Sequence, residues 1–339
     1  MSHHALGVVL PYWFDRPDAE AFDIAAQARS CGFRRLWIGE MATFDAFALA
    51  TAIGLKSPGL AMTVGPLAIG VRSPVALALG VSSVATLTGH AVDLALGASS
   101  PQIVSGWHDR DWVAAPTRMR ETVELVRRAL DGERTDYAGK LVRSRGFRLR
   151  SPQPSTKLTV AAFGPQMTRV AVQSADQLVL NLVSPGHVSA VRASIDAIAD
   201  AHGITAPRLA VWVTAAIDPG PATHGQIASQ LAAYLKPPGY GEMFAELGYG
   251  DLVTRARAGA SRNEIADAIP PQLPAAVGAI GTTPEVIARI ESYFGAGADH
   301  VGIVPATAED QAGRRVLAAV REHFGDELRD PSAGSARGR

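Results

Sequence analysis

Val64-Gly-Pro-Leu-Ala-Ile-Gly-Val-Arg-Ser-Pro74 is the stretch on which the fold turns. The apolar run Gly59–Val64 before it reads as a strand, and the Gly-Pro pair ends that run. Ser73 and Pro74 then supply an N-cap and a first helical residue for a helix running to about Leu87. After Val84-Ala-Thr-Leu-Thr-Gly-His90, Ala91–Leu96 reads as the next strand, followed by the small-residue turn Gly97-Ala98-Ser99-Ser100. Strand, helix, glycine, strand is the pattern of a parallel βαβ unit.

The unit recurs in both directions. Upstream, Leu6–Leu10 is a strand and Ala19–Cys31 a helix with Phe22, Ala25 and Ala26 on one face; Gly32 stops it before the strand Leu36–Ile38. Downstream, Thr117–Leu130, with Pro116 near its start, is the fourth helix. Ala175-Asp176-Gln177 leads into a strand at Leu178–Leu182, and Gly297-Ala298-Asp299-His300 into another at Val301–Val304. Alternation this regular predicts a closed (β/α)8 TIM barrel, α/β in class, spanning residues 1–325 as one domain. Two insertions interrupt it: a β-hairpin at 134–150, around Tyr137, Gly139 and Lys140, and a helical segment at 219–274, patterned around Ile227–Leu235 and Leu252–Ile269. Long inserted connections in barrels form lids or walls. Residues 326–339, rich in Ser, Gly, Arg and Pro, read as a disordered tail.

Composition narrows the function. At 339 residues and 47% hydrophobic, the chain can bury one large core. Lys+Arg and Asp+Glu are both 32, so no net field favours nucleic acid or an anionic membrane. The single cysteine, Cys31, cannot close an intrachain disulfide and is expected to be buried and inert. No signal segment and no apolar run of about 18 residues is found, which together predict a cytoplasmic protein. The nine histidines lack metal-ligand spacing, and the His3-His4 pair reads as part of a disordered start, so no metal is expected. Phosphate-loop, dinucleotide, zinc-protease and serine-hydrolase motifs are absent.

Beyond the opening stretch, Asp93-Leu-Ala-Leu-Gly-Ala-Ser-Ser-Pro-Gln-Ile-Val104, Leu158-Thr-Val-Ala-Ala-Phe-Gly-Pro-Gln-Met167 and Gly281-Thr-Thr-Pro-Glu285 follow in order. Together these segments resemble the bacterial-luciferase-like superfamily, and within it the F420-dependent oxidoreductases. The resemblance implies hydride transfer between coenzyme F420, a deazaflavin, and a small organic substrate. An FMN-dependent monooxygenase, or a flavin-binding protein without turnover, are the alternatives. It also implies a homodimer.

In such a barrel the site lies at the C-terminal strand ends. Against the alternative of a trans Gly-Pro that simply ends the strand, the resemblance implies that Gly65, Pro66 and Leu67 form a bulge with a cis peptide that backs the deazaflavin ring. A Gly-Pro bond reaches that geometry at about 0.5–1 kcal/mol, against about 2.5–4 for a non-proline bond. Gly97, Ala98, Ser99 and Ser100 admit close approach of a planar ring, or form an ordinary turn. Gly164, Pro165, Gln166 and Met167 open a helix whose free N–H groups suit a phosphate, with Gln166 and Met167 as donors because Pro165 has none. Asn181 ends a neighbouring strand.

Glu40 is a candidate general acid or base, or else a carboxylate held by backbone or a basic neighbour. Sugar-phosphate-oxidising relatives carry an Asp-His pair where this chain has Glu40-Met41, which argues against that activity. Trp13, Met41 and Trp107 are candidates for the substrate wall. His108 is either a proton donor or a loop histidine facing solvent.

Overall fold

The computed structural model describes residues 5–325. The tail at 326–339 and the His3-His4 pair lie outside the described residues. Eight parallel strands close a barrel: β1 (Ala5–Val9), β2 (Arg35–Ile38), β3 (Ala61–Ala68), β4 (Val92–Gly97), β5 (Leu158–Ala161), β6 (Gln177–Asn181), β7 (Arg208–Ile217) and β8 (His300–Pro305). Each pairs with the next, and closure comes from β8 pairing with both β7 and β1. The helices between them are α1 (Glu20–Ser30), α2 (Ala46–Lys56), α3 (Pro74–Thr88), α4 (Ala115–Leu130), α5 (Gly164–Ser174), α6 (Pro185–His202), α7 (Thr283–Gly295) and α8 (Arg314–Phe324).

Local chemistry accounts for the boundaries. Ser73 caps α3 by accepting from the Ala76 N–H, with Pro74 behind it, and Gly89 ends the helix in the left-handed conformation at φ 70°. In α7 Thr282 and Glu285 form a reciprocal capping box. The face of α1 differs from the sequence expectation. Ile24, Ala25 and Ala28 are buried and Ala26 is exposed, because 3.6-residue periodicity puts 24, 25 and 28 on one side. Cys31 is buried, as expected.

The third strand does not stop at Val64. It continues to Ala68 through a register break, Val64 pairing with Leu94 and Leu67 with Leu96, so Gly65 and Pro66 together face Ala95. The hairpin forms at Asp136–Ala138 and Arg143–Arg145. Glu121 of α4 holds its turn, accepting from the N–H groups of Lys140, Leu141 and Val142. Burial pushes the Glu121 carboxyl upward, but these backbone donors outweigh it and leave it below the usual range.

Strand β7 had no place in the sequence reading, although its ten residues are nearly all buried. Between it and α7 lie the helices Pro221–Tyr234, Tyr240–Phe244, Gly250–Arg257, Arg262–Ala266 and Gln272–Val277, and a short strand Ala279–Gly281 that pairs with the end of β7. The pattern over Leu252–Ile269 divides into two helices around Gly259, at φ 103°.

The barrel interior is plugged. Trp37 is fully buried, packs edge-on against Trp212 with ring centroids 5.5 Å apart, and donates its indole N–H to Nε2 of His300 at 3.0 Å. His300 packs where a side chain on Gly7 would sit. Burial, reinforced by the charges of Arg35 and Arg208, holds His300 well below the ordinary imidazole range. The folded protein therefore excludes a proton that the unfolded chain accepts below about pH 6.5. Stability falls as pH drops through that value, by up to about 1.4 kcal/mol per pH unit from this group. Urea unfolding between pH 7.5 and 5 measures it; His300→Gln, which keeps an acceptor for Trp37, is expected to flatten the slope.

Candidate functional site

The C-terminal ends of the strands surround a cavity of about 2090 Å3. Its floor comes from β3, β4 and β5. The peptide Gly65–Pro66 is cis, Gly65 has φ 119°, and the Pro66 ring lines the cavity beside Gly97, Ala98 and Ala161. A Cβ on Gly65 would lie 2.1 Å from the Ala95 carbonyl oxygen, and one on Gly97 would come within 3.3 Å of Pro66 Cβ. Only a bare backbone fits at Gly65, so the bulge and the flat floor depend on it. Leu67 is a correction to the expected site: the register break returns it to the barrel core, fully buried and away from the cavity.

One side of the cavity is an ion-pair network. Arg72 pairs with Glu40, and with Asp45 at 2.6 Å. Asp45 is the N-cap of α2, accepting from Phe47 and Ala48 N–H at 3.0 Å each, and Glu40 accepts from Ala46 N–H at 3.2 Å. Burial alone would raise the Asp45 carboxyl; these donors and Arg72 bring it below its usual range. Glu40 lines the cavity, with Oε1 of its carboxylate engaged by both Arg72 and the Ala46 N–H. Arg72 stood inside the opening motif and its site role was missed there.

The opposite side is aromatic. Phe163 and Tyr240 have ring centroids 4.2 Å apart, Tyr240 and Tyr234 4.8 Å, and Asn181 hydrogen-bonds the Tyr240 hydroxyl. Burial raises both phenols. His187 adjoins Phe163, and burial pulls it below the ordinary imidazole range against the opposing effect of Glu246. Tyr234 and Tyr240 belong to the inserted helices, which therefore form a wall. Gln226 fixes that wall to the barrel, donating to Asp15 and accepting from the N–H groups of Thr307 and Ala308.

The remaining candidates separate into anchored and rim residues. Trp13 lines the cavity but is 7% exposed, its indole N–H donated to the Pro305 carbonyl at 2.9 Å. Met41, Ser99 and Ser100 line it too. Gly164, Pro165, Gln166 and Met167 form the start of α5 at the cavity edge, where Phe163, the N-cap, makes no side-chain cap. Trp107 and His108 are exposed on the rim, in a loop drawn in by Trp112, whose indole N–H donates to the Ala98 carbonyl. No cluster among the described residues has the ligands to hold a metal ion, and no helix among them is long and apolar enough to cross a membrane.

A (β/α)8 barrel with a large organic-ligand cavity at the C-terminal strand ends defines a TIM-barrel enzyme. The luciferase-like monooxygenase family model matches residues 13–300, and the chain belongs to that family of oxidoreductases. A Mycobacterium tuberculosis protein, provisionally named a coenzyme F420-dependent oxidoreductase, is 23% identical over 335 residues, covering 90% of this chain and 96% of its own. The F420-dependent tetrahydromethanopterin reductase of Methanopyrus kandleri superposes with a TM-score of 0.79 at 16% identity, covering 96% of this chain and all of that one. EDTA monooxygenase from Chelativorans sp. BNC1 gives a TM-score of 0.71 at 17% identity, covering 96% of this chain and 94% of its own.

Gly65→Ala tests the floor. The clash with Ala95 and the positive φ are expected to destabilise the protein by on the order of 3 kcal/mol, read as a lower urea midpoint.

Proposed function

We propose that the protein is an F420-dependent oxidoreductase, moving a hydride between the deazaflavin and a small organic substrate. The observation that carries the reading is the floor: a bulge of bare Gly65 backbone and the Pro66 ring beside Gly97 and Ala98, leading to the N-terminus of α5. The residues fit the group. Pro66, Gly97, Ala98 and Ala161 offer a flat apolar surface to a fused ring. Ser99, Ser100 and Asn181 offer hydroxyl and amide groups to its heteroatoms, and the Gln166 and Met167 N–H groups suit the phosphate of its side chain. When bound, the deazaflavin supplies a two-electron hydride carrier that reacts poorly with dioxygen. The chain's own part is to hold the ring on the floor, leave one face open to the substrate, and exclude water with the aromatic wall.

The whole-length match to the mycobacterial relative supports F420 over FMN. The likeness to EDTA monooxygenase keeps an oxygen-using FMN enzyme as the second reading. Titration of the purified protein with each cofactor, followed by fluorescence, separates them. F420 is expected to bind and FMN not; tight FMN binding without F420 binding would assign the protein to the oxygenases. Binding of F420 without oxidation of the reduced cofactor by any of a panel of conjugated carbonyl compounds would favour a carrier.

The proposal extends to a homodimer through α2 and α3, supported by Leu55, Leu79 and Leu87, which stand exposed on those helices. Light scattering should give twice the chain mass, and Leu55→Glu with Leu87→Glu should return it to one.

A further inference from the structure

The oxidoreductase reading leaves one side chain of the cavity unused. Tyr12, just beyond the end of β1, lines the cavity and packs its ring over Gly39, where a Cβ would come within 3.1 Å of it. Its hydroxyl is buried and has no hydrogen-bond partner among the described residues. The same holds for the indole N–H of Trp212, on β7. The two are placed differently: Tyr12 stands beyond a strand end, whereas Trp212 sits within β7, its ring over Gly302 of β8 and edge-on to Trp37.

A buried donor without an acceptor is unfavourable, and one on a side chain that lines a cavity calls for a ligand that brings the acceptor. The surroundings limit what that ligand is. Beside Tyr12, two carboxylates, Glu40 and Asp45, share one guanidinium, so the local charge disfavours an anion. Trp13, Met41 and Tyr234 offer apolar and aromatic surface. Burial, the Glu40 carboxylate and neighbouring Tyr234 all push the Tyr12 phenol upward, which keeps it a neutral donor.

We propose that Tyr12 is a substrate-binding residue, its hydroxyl donating to the oxygen of an uncharged carbonyl compound. This rests on the oxidoreductase reading of the same cavity, and it names the substrate class: neutral aldehydes, ketones or enones, or the matching alcohols. A carboxylate or phosphate oxygen does not suit the place beside Tyr12, where two carboxylates share one guanidinium.

The test compares two probes of one shape, 4-fluoroacetophenone and 4-fluoro-α-methylstyrene, in which C=CH2 replaces C=O. Their binding to the full chain is followed by fluorine NMR, with and without oxidised F420, so no turnover is needed. The wild type is expected to bind the ketone about fivefold more tightly than the alkene, the worth of one hydrogen bond. Tyr12→Phe, which keeps the ring over Gly39, should abolish that preference while leaving alkene affinity unchanged. Tyr12→Phe should also melt no lower than the wild type, because no protein partner is lost. Equal binding of the two probes by the wild type, a preference that survives in Tyr12→Phe, or a lowered melting temperature in that variant would each overturn the proposal. If the preference is seen and lost as described but F420 does not bind, the role of Tyr12 stands and the cofactor assignment falls. If F420 binds and no preference exists, Tyr12 alone falls.

Discussion

Between Val64 and Leu67 two residues of β3 face one residue of β4, and the barrel mouth is organised around that mismatch. The extra residue bends the strand and presents the Pro66 ring upward, while Leu67 drops back into the core. The geometry is possible only because Gly65 has no Cβ to meet the Ala95 carbonyl. Gly97 extends the same bare surface onto the next strand. What results is a floor of ring and backbone, which a planar ligand can cover closely and a bulky polar one cannot.

Around this floor the two sides of the cavity differ in physical character. Arg72 ties the end of β2 to the start of α2 by pairing through one guanidinium nitrogen with Glu40 and Asp45. The far side is built by the inserted helices, which bring Tyr234 and Tyr240 against Phe163 and are held to the barrel by Gln226. That side also carries charge, since Lys236, Glu242, Glu246 and Arg262 of the inserted segment line the cavity. Among the described residues, three that line the cavity have a buried donor without a partner: the Tyr12 hydroxyl, the Trp212 indole N–H and Nε of Arg72.

The barrel was legible in the sequence because its signals are local. Ser73-Pro74, Gly89 and the Thr282–Glu285 box each mark a helix boundary through chemistry within a few residues. Gly65-Pro66 and Gly97–Ser100 were legible for the same reason, as turns that only small residues allow. Strand β7 was not: after the exposed Arg208, Leu209–Ile217 is apolar except for Thr214, lies buried on both faces, and shows no alternation. The site was legible in part. Pro66, Gly97–Ser100 and Asn181 reach the cavity, whereas Leu67 does not, because a bulge reverses which residues face it. Tyr234 and Tyr240 were missed because nothing local in an inserted segment says which side chain points back to the barrel. For Glu40 the sequence left two readings, and the structure shows the held carboxylate, with the Ala46 N–H and Arg72, 32 residues away, as its partners.

The central claim is that the Gly65–Pro66 floor and the start of α5 form one cofactor site. A crystal structure of the protein with oxidised F420 tests it most directly. The ring is expected on Pro66 between Gly97 and the aromatic wall, with the phosphate at the N–H groups of Gln166 and Met167. A ring bound elsewhere in the cavity, with the Pro66 surface left uncovered, would contradict it.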